Sequence, residues 1–167
     1  EVNVLKITGV NVQMDLTDTT VAGKVQNFSV LDLRVGNGNK VKLSLQQVLD
    51  LSADVPDNAA TTDADESKML VVHGTNQNTV QLVDSVNWSA VTNLGGTTLQ
   101  NNFGTQFGFE PGRSYTQYTN SAGSATLFVD QLLIAKCFFD GVQVCALNVF
   151  DDRQLERGAI VDIANQN

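Results

Sequence analysis

The chain has 167 residues, a formal charge of −8 and only 17% charged residues, so most of its polarity comes from Asn, Gln, Thr and Ser. That size suits one β-rich domain across 1–167 with a real core. The acidic balance excludes a nucleic-acid backbone binder, which needs a basic face, and no apolar run reaches the ~20 residues of a membrane-spanning helix.

Taken in chain order, Val2 to Met14 is rich in β-branched residues and predicts strands with a break at Gly9. Asn27 to Val35 is the first strong strand, with Leu31, Leu33 and Val35 on one face and Asp32 and Arg34 on the other. Gly36-Asn37-Gly38-Asn39 is a turn of residues that tolerate positive φ. Val41, Leu43 and Leu45 resume the alternation. At Ser44 the period changes: Ser44 and Gln47 have capping-box spacing, and Leu45, Val48, Leu49 and Leu51 fall on one helical face, predicting a short helix near 44–51. Residues 53–68 form a loop of small and acidic residues.

Strands follow at Met69–Gly74 and Thr79–Val83, around a Thr75–Asn78 turn. Thr92 to Arg113 is Gly- and Asn-rich but carries Phe103, Phe107 and Phe109, which predicts an irregular loop tucked against the body. Tyr115–Thr119 and Ala125–Asp130 are strands, and Leu132–Phe139 with Val142–Phe150 reads as a hairpin about Asp140-Gly141. An apolar stretch at Ala159–Ile163 offers a last strand.

Three segments echo one another as strand, polar turn, strand: Val30–Leu45, Leu70–Val83 and Tyr115–Asp130. Two all-β architectures accommodate them. One is stacked hairpins in a β-sandwich; the other is a short β-solenoid or β-roll turning at the Asn/Gly sites. The unequal spacing of the echoes favours the sandwich, because a solenoid prefers a fixed period.

His73 is the only histidine, and it sits within a strand, where a surface or structural role is expected. With no GxSxG, P-loop, HExxH or CxxC motif, nothing points to an enzyme. Asp57, Asp63 and Asp65 offer oxygens of the kind Ca²⁺ takes, but match no calcium-loop pattern, which favours a solvated loop that keeps the chain soluble. Cys137 and Cys145 flank the Asp-Gly turn. In a plain two-residue hairpin Phe139 faces Val142 and Cys137 faces Val144, so a disulfide needs a loop centred on Gly141, for example three residues long; two buried thiols are the alternative. Asn27-Phe28-Ser29 and Asn87-Trp88-Ser89 are glycosylation sequons.

The run Asn39, Val41, Leu43, Ser44, Leu45, Val48, Leu49, Leu51, Ser52 resembles a phrase of large bacterial surface proteins, the type I secreted adhesins of the repeats-in-toxin class. The resemblance continues in order through Leu70, Val72, Gly74, Val80 and Leu82, then Trp88, Tyr115 and Tyr118, and Ala125, Leu127 and Val129, spanning Phe28 to Asp130. It implies an extracellular, β-rich, non-catalytic module of a surface or biofilm adhesin, often calcium-associated. Gln47 and Asn78 stand where that family commonly has Asp, and the cysteine pair is atypical of it.

The expected function is therefore a structural or adhesive module outside a bacterial cell, in repeated modules or as a homo-oligomer. The alternative is a processed subunit of an extracellular filament or surface layer, assembling by strand addition through its N-terminal segment. In that case 1–27 and 135–167 are assembly flanks. The chain starts at Glu1 without Met, which reads as an excised piece or a processed chain.

Overall fold

A computed structural model describes residues 2–52, 68–84, 88–120, 125–139 and 142–147. The fold is mainly β, with mixed sheets and three short helices among the described residues. The chain runs β1 (Val4–Lys6), β2 (Gln13–Asp15), α1 (Thr19–Ala22), β3 (Val30–Asp32), β4 (Lys40–Leu43), α2 (Leu45–Leu51), β5 (Lys68–His73) and β6 (Thr79–Leu82). It continues as β7 (Trp88–Gly95), α3 (Gly96–Phe103), a 3-10 turn at Thr105–Phe107, β8 (Ser114–Asn120), β9 (Ala125–Asp130), β10 (Ile134–Phe139) and β11 (Val142–Leu147).

One sheet has the order β1-β3-β5-β9-β8-β7 and the other β11-β10-β6-β4-β2. Through β6, successive strands alternate between the sheets, so each strand–turn–strand unit gives one strand to each. The pairs β1·β3, β3·β5, β5·β9, β2·β4, β4·β6 and β6·β10 are all parallel. This corrects the hairpin reading of two echoes. Val30–Leu45 and Leu70–Val83 do not fold back on themselves; Val41 lies beside Met14 and Val80. The third echo is an antiparallel hairpin, with Tyr118 opposite Leu127. Inward positions of neighbouring strands meet in register: Leu31 beside Val72, Leu70 beside Leu127, Val72 beside Val129, Val41 beside Val80 and Leu43 beside Leu82.

Side chains from both sheets meet in one hydrophobic cluster. Leu31, Leu33, Val41, Leu43, Leu70, Val72, Val80, Leu82, Leu127 and Val129 pack there, closed on a third side by Val48 and Leu51 of α2. Ser44 precedes α2, but its hydroxyl bonds the Gln47 side chain and caps no backbone group. The first N–H of the helix is taken instead by Asp84, at 2.8 Å from Leu45 N. A second cluster lies on the outer side of the β1-to-β7 sheet: Val30, Met69, Val71 and Phe128 under Leu99, Phe107, Phe109 and Tyr115. Because that sheet is covered on both faces, Met69-Leu70-Val71-Val72 is apolar without alternation.

The turns are stacked as closely as the strands. Asn11 N–H donates to Asn37 O at 2.8 Å, and Gly38 N–H to Gln77 O at 3.1 Å, so the ladder continues around the corner. Asn39 and Asn78, both fully buried, close successive corners. Asn39 Oδ1 accepts from Val12 N–H at 2.9 Å. Asn78 Nδ2 donates to Gly36 O at 2.8 Å, while its Oδ1 accepts from the Thr75 N–H and hydroxyl. Gly36 is required by proximity: a Cβ there would lie 1.9 Å from the Gly9 carbonyl oxygen. Gly38 is required by its φ of +69° and by Asn11 Oδ1, 2.1 Å from the same imaginary atom.

Two substitutions test the corner. Asn78→Ala strands the Gly36 carbonyl and the Thr75 N–H and is expected to cost about 1–3 kcal/mol. Gly36→Ala forces two turns apart and is expected to cost a similar amount. Exposed Val35→Ala changes stability by less than about 0.5 kcal/mol. Urea unfolding with unchanged slope checks all three; equal midpoints would show that the corners carry no weight.

Candidate functional site

Strand register brings the buried ionisable groups together. Asp32 at the end of β3 is the register partner of Lys6 on one side and His73 on the other. Val72 and Val129 are partners, so the next residues along, His73 and Asp130, sit at the same level; Tyr115 is opposite Asp130. Asp32, His73 and Asp130 are all buried, His73 and Asp130 completely.

Two arginines neutralise this row. Arg34 forms a two-pronged pair with Asp32, Nε to Oδ1 and Nη2 to Oδ2, both 2.8 Å. Its Nη1 reaches Glu110 at 2.5 Å. Arg113 bonds Glu110 through Nε at 2.7 Å, and through Nη1 it bonds both Asp130 at 2.5 Å and the Gly74 carbonyl at 2.7 Å. Burial alone would push the Asp32 carboxyl up, but the Arg34 bonds outweigh it and hold the group below the usual carboxylate value. Glu110 is held down in the same way by both arginines against its own desolvation. Hydrogen bonding to Asp32 raises Arg34 further above its already high value.

His73 is pinned between neutral groups. One ring nitrogen, Nε2, lies 2.8 Å from the Phe107 carbonyl oxygen, which can only accept, so this nitrogen carries the proton. The other, Nδ1, is then the acceptor for the Tyr115 hydroxyl at 3.3 Å, and that hydroxyl accepts from the Glu110 N–H at 3.1 Å. Burial pushes the imidazole below its ordinary value and the Tyr115 hydroxyl up to about 12. Phe109 and Tyr115 present their rings edge-on to the imidazole at 6.1 and 5.6 Å. His73 is not a surface residue; its ring is fully buried, with both nitrogens engaged inside the molecule. The arrangement neutralises charge and clamps the 108–113 segment onto the ends of β5 and β9.

The calcium candidates Asp57, Asp63 and Asp65 lie outside the described residues. Among the described residues, no three His, Cys, Asp or Glu side chains converge to hold a metal ion. Cys137 and Cys145 are register partners across β10 and β11, because the register shifts between Cys137 and Phe138 while Phe139 stays opposite Val142. The irregularity between Cys137 and Phe138, and not a longer loop centred on Gly141, sets the two cysteines opposite each other. Among the described residues no helix is long and apolar enough to cross a membrane.

At the N-terminal end both sheets finish in a three-residue edge strand, β1 in one and β2 in the other. Val4 and Val10 are 52% and 67% exposed there. A groove of about 320 Å³ runs beside β1, between Asn3–Leu5 and Lys24–Phe28. Sequence reasoning missed the charged cluster. The available signal was positional: Asp32, His73 and Asp130 each end an apolar strand run.

Arg113→Ala leaves the fully buried Asp130 carboxylate without its cation and is expected to cost about 3–5 kcal/mol. Lys42→Ala breaks the Lys42–Asp15 pair, whose side chains are 38% and 45% exposed, and is expected to cost under about 1 kcal/mol. Chemical denaturation of both variants checks the contrast; equal losses would show that Asp130 does not depend on Arg113.

Comparison with known proteins found no matching family model, no matching curated protein and no matching solved structure.

Proposed function

We propose that the chain is a non-catalytic structural or adhesive module of a bacterial surface or biofilm protein, acting outside the cell through its surfaces. The observation that carries this reading is the parallel, in-register stacking of strand–turn–strand units, in which polar interior groups are spent on holding one unit to the next. Up to β6 successive strands alternate between the two sheets, which supports a short β-solenoid over a sandwich of hairpins. Stacked units suit a part that spans or presents, and the adhesin-like phrases at Val41–Leu45, Leu70–Leu82 and Ala125–Val129 fall on the parallel strands or directly beside them.

Antibody labelling of intact cells that make the protein tests the location. Label is expected on the surface or in the shed matrix, and cells lacking the protein are expected to lose attachment. Confinement to the cytosol would overturn the reading.

The second reading, a filament or surface-layer subunit, is favoured by one observation: among the described residues both sheets end in a short N-terminal strand, β1 or β2, paired on one side only. An edge strand is a template for a further strand, and added charge along it blocks pairing. Electron microscopy and light scattering of the purified chain are expected to show polymers that disappear in the Val4→Lys, Gln13→Lys double variant with unchanged circular dichroism. A wild-type chain that stays monomeric at high concentration would sink this second reading.

A further inference from the structure

We propose that His73 is an acid-sensitive latch: as pH falls, the covering segment from α3 to Arg113 lifts from the outer face of the β1-to-β7 sheet and exposes the aromatic surface beneath it. This inference is independent of where the protein acts.

The latch follows from what touches the imidazole. Most of its partners belong to the covering segment or to the strand that follows it: the Phe107 carbonyl, Gly108, the Phe109 ring and Tyr115. A Cβ at Gly108 would sit 3.4 Å from Nε2, so the segment lies directly on the ring. Lifting it hydrates His73 and removes its bonds. The charged and titratable groups that face the ring are Asp32 and Arg34 from the β3 side, Asp130 from β9, Tyr115 from β8, and Glu110 and Arg113 from the segment itself. The two guanidiniums bridge the three carboxylates, Arg34 holding Asp32 and Glu110 and Arg113 holding Glu110 and Asp130, and no hydrogen bond joins any of them to the imidazole; burial outweighs the one excess negative charge.

Both ring nitrogens are committed to the neutral form. A proton added at Nδ1 would place an N–H against the Tyr115 hydroxyl, which already accepts from Glu110 N–H. The hydroxyl would then have to accept twice, and its own proton would lose its acceptor in a buried site. Closed, the site disfavours the charged ring; open, the ring titrates near its ordinary value of about 6.5.

Linkage fixes the sign. The open state binds the extra proton, so the closed state is fully favoured above pH 6.5 and loses ground as pH falls below it. The open population rises by up to about tenfold per pH unit until the buried ring itself titrates. Asp32 and Glu110 titrate below their ordinary values of 3.8 and 4.5, so they stay ionised through this window. Once the segment is lifted, Phe128, Val71 and Val30 on the sheet, and Phe103, Phe107 and Phe109 on the segment, become accessible.

Hydrogen exchange of the full chain, read by mass spectrometry at pH 7.5 and 5.0 and corrected for intrinsic rates, tests the latch. Residues 96–113 are expected to open separately from β4 and β6, with the opening population rising on the order of ten- to thirtyfold at pH 5.0. His73→Gln is expected to abolish that rise. A pH-independent opening, a segment that exchanges only together with β4 and β6, or the same rise in His73→Gln would each overturn the proposal. The first two readouts need only the wild-type chain, so the test stands even if the variant does not fold.

Discussion

The structure depends on one constraint, the parallel register that sets each unit directly on the last. Val41 must lie between Met14 and Val80, because the corner carbonyls and amides bond from unit to unit on the same spacing as the strands. Slipping one strand by a residue would turn its buried leucines outward and unmake the corner bonds at once. Asn39 and Asn78 enforce the spacing from inside: their amides replace the backbone partners that a tight turn cannot offer. The hydrophobic cluster supplies the drive, and the corners make the register unique.

The charged cluster has the same logic at the other face of the β1-to-β7 sheet. Stacked strand ends bring Asp32, His73 and Asp130 to one level, and two buried carboxylates at such close quarters need cations. One guanidinium comes from just past β3 and the other from the segment leading into β8, so neutralising the row also fixes the excursion that carries Phe107 and Phe109. Charge compensation and the covering of the outer face are therefore a single event.

Much of this was legible as positions and little of it as partnerships. The inward residues Leu31, Leu33, Val41, Leu43, Val80 and Leu82 follow from alternation, and the α2 face from Val48 and Leu51. What alternation does not contain is which strand lies beside which. Gly36 to Asn39 has the composition of a hairpin turn, and the same residues serve a corner between sheets. The first unit was legible in hindsight: Val4-Leu5-Lys6-Ile7 repeats the spacing of Val30-Leu31-Asp32-Leu33, and the register confirms the match. Helix α3 was missed because GTTLQNNF carries little apolar periodicity; its helical state follows from Leu99 packing against the outer cluster. The Arg34–Glu110 and Arg113–Asp130 pairs join residues distant in sequence, and no local pattern encodes them.

The corner turns also dictate how the chain must reach this structure. In a hairpin, a turn is rewarded as soon as it forms, because the strands on either side bond to each other. Here β3 and β4 belong to different sheets, so the Gly36–Asn39 turn gains no ladder until Val12 on one side and Thr79 on the other arrive. Loop-closure entropy is spent before any strand pairing repays it, which is the regime of slow folding. The antiparallel pairs β8·β9 and β10·β11 are the exceptions, joined by short connections. Of these, β8 and β9 carry Tyr115 and Phe128 into the outer aromatic cluster, so this hairpin gains both ladder and apolar contacts without waiting for a distant strand.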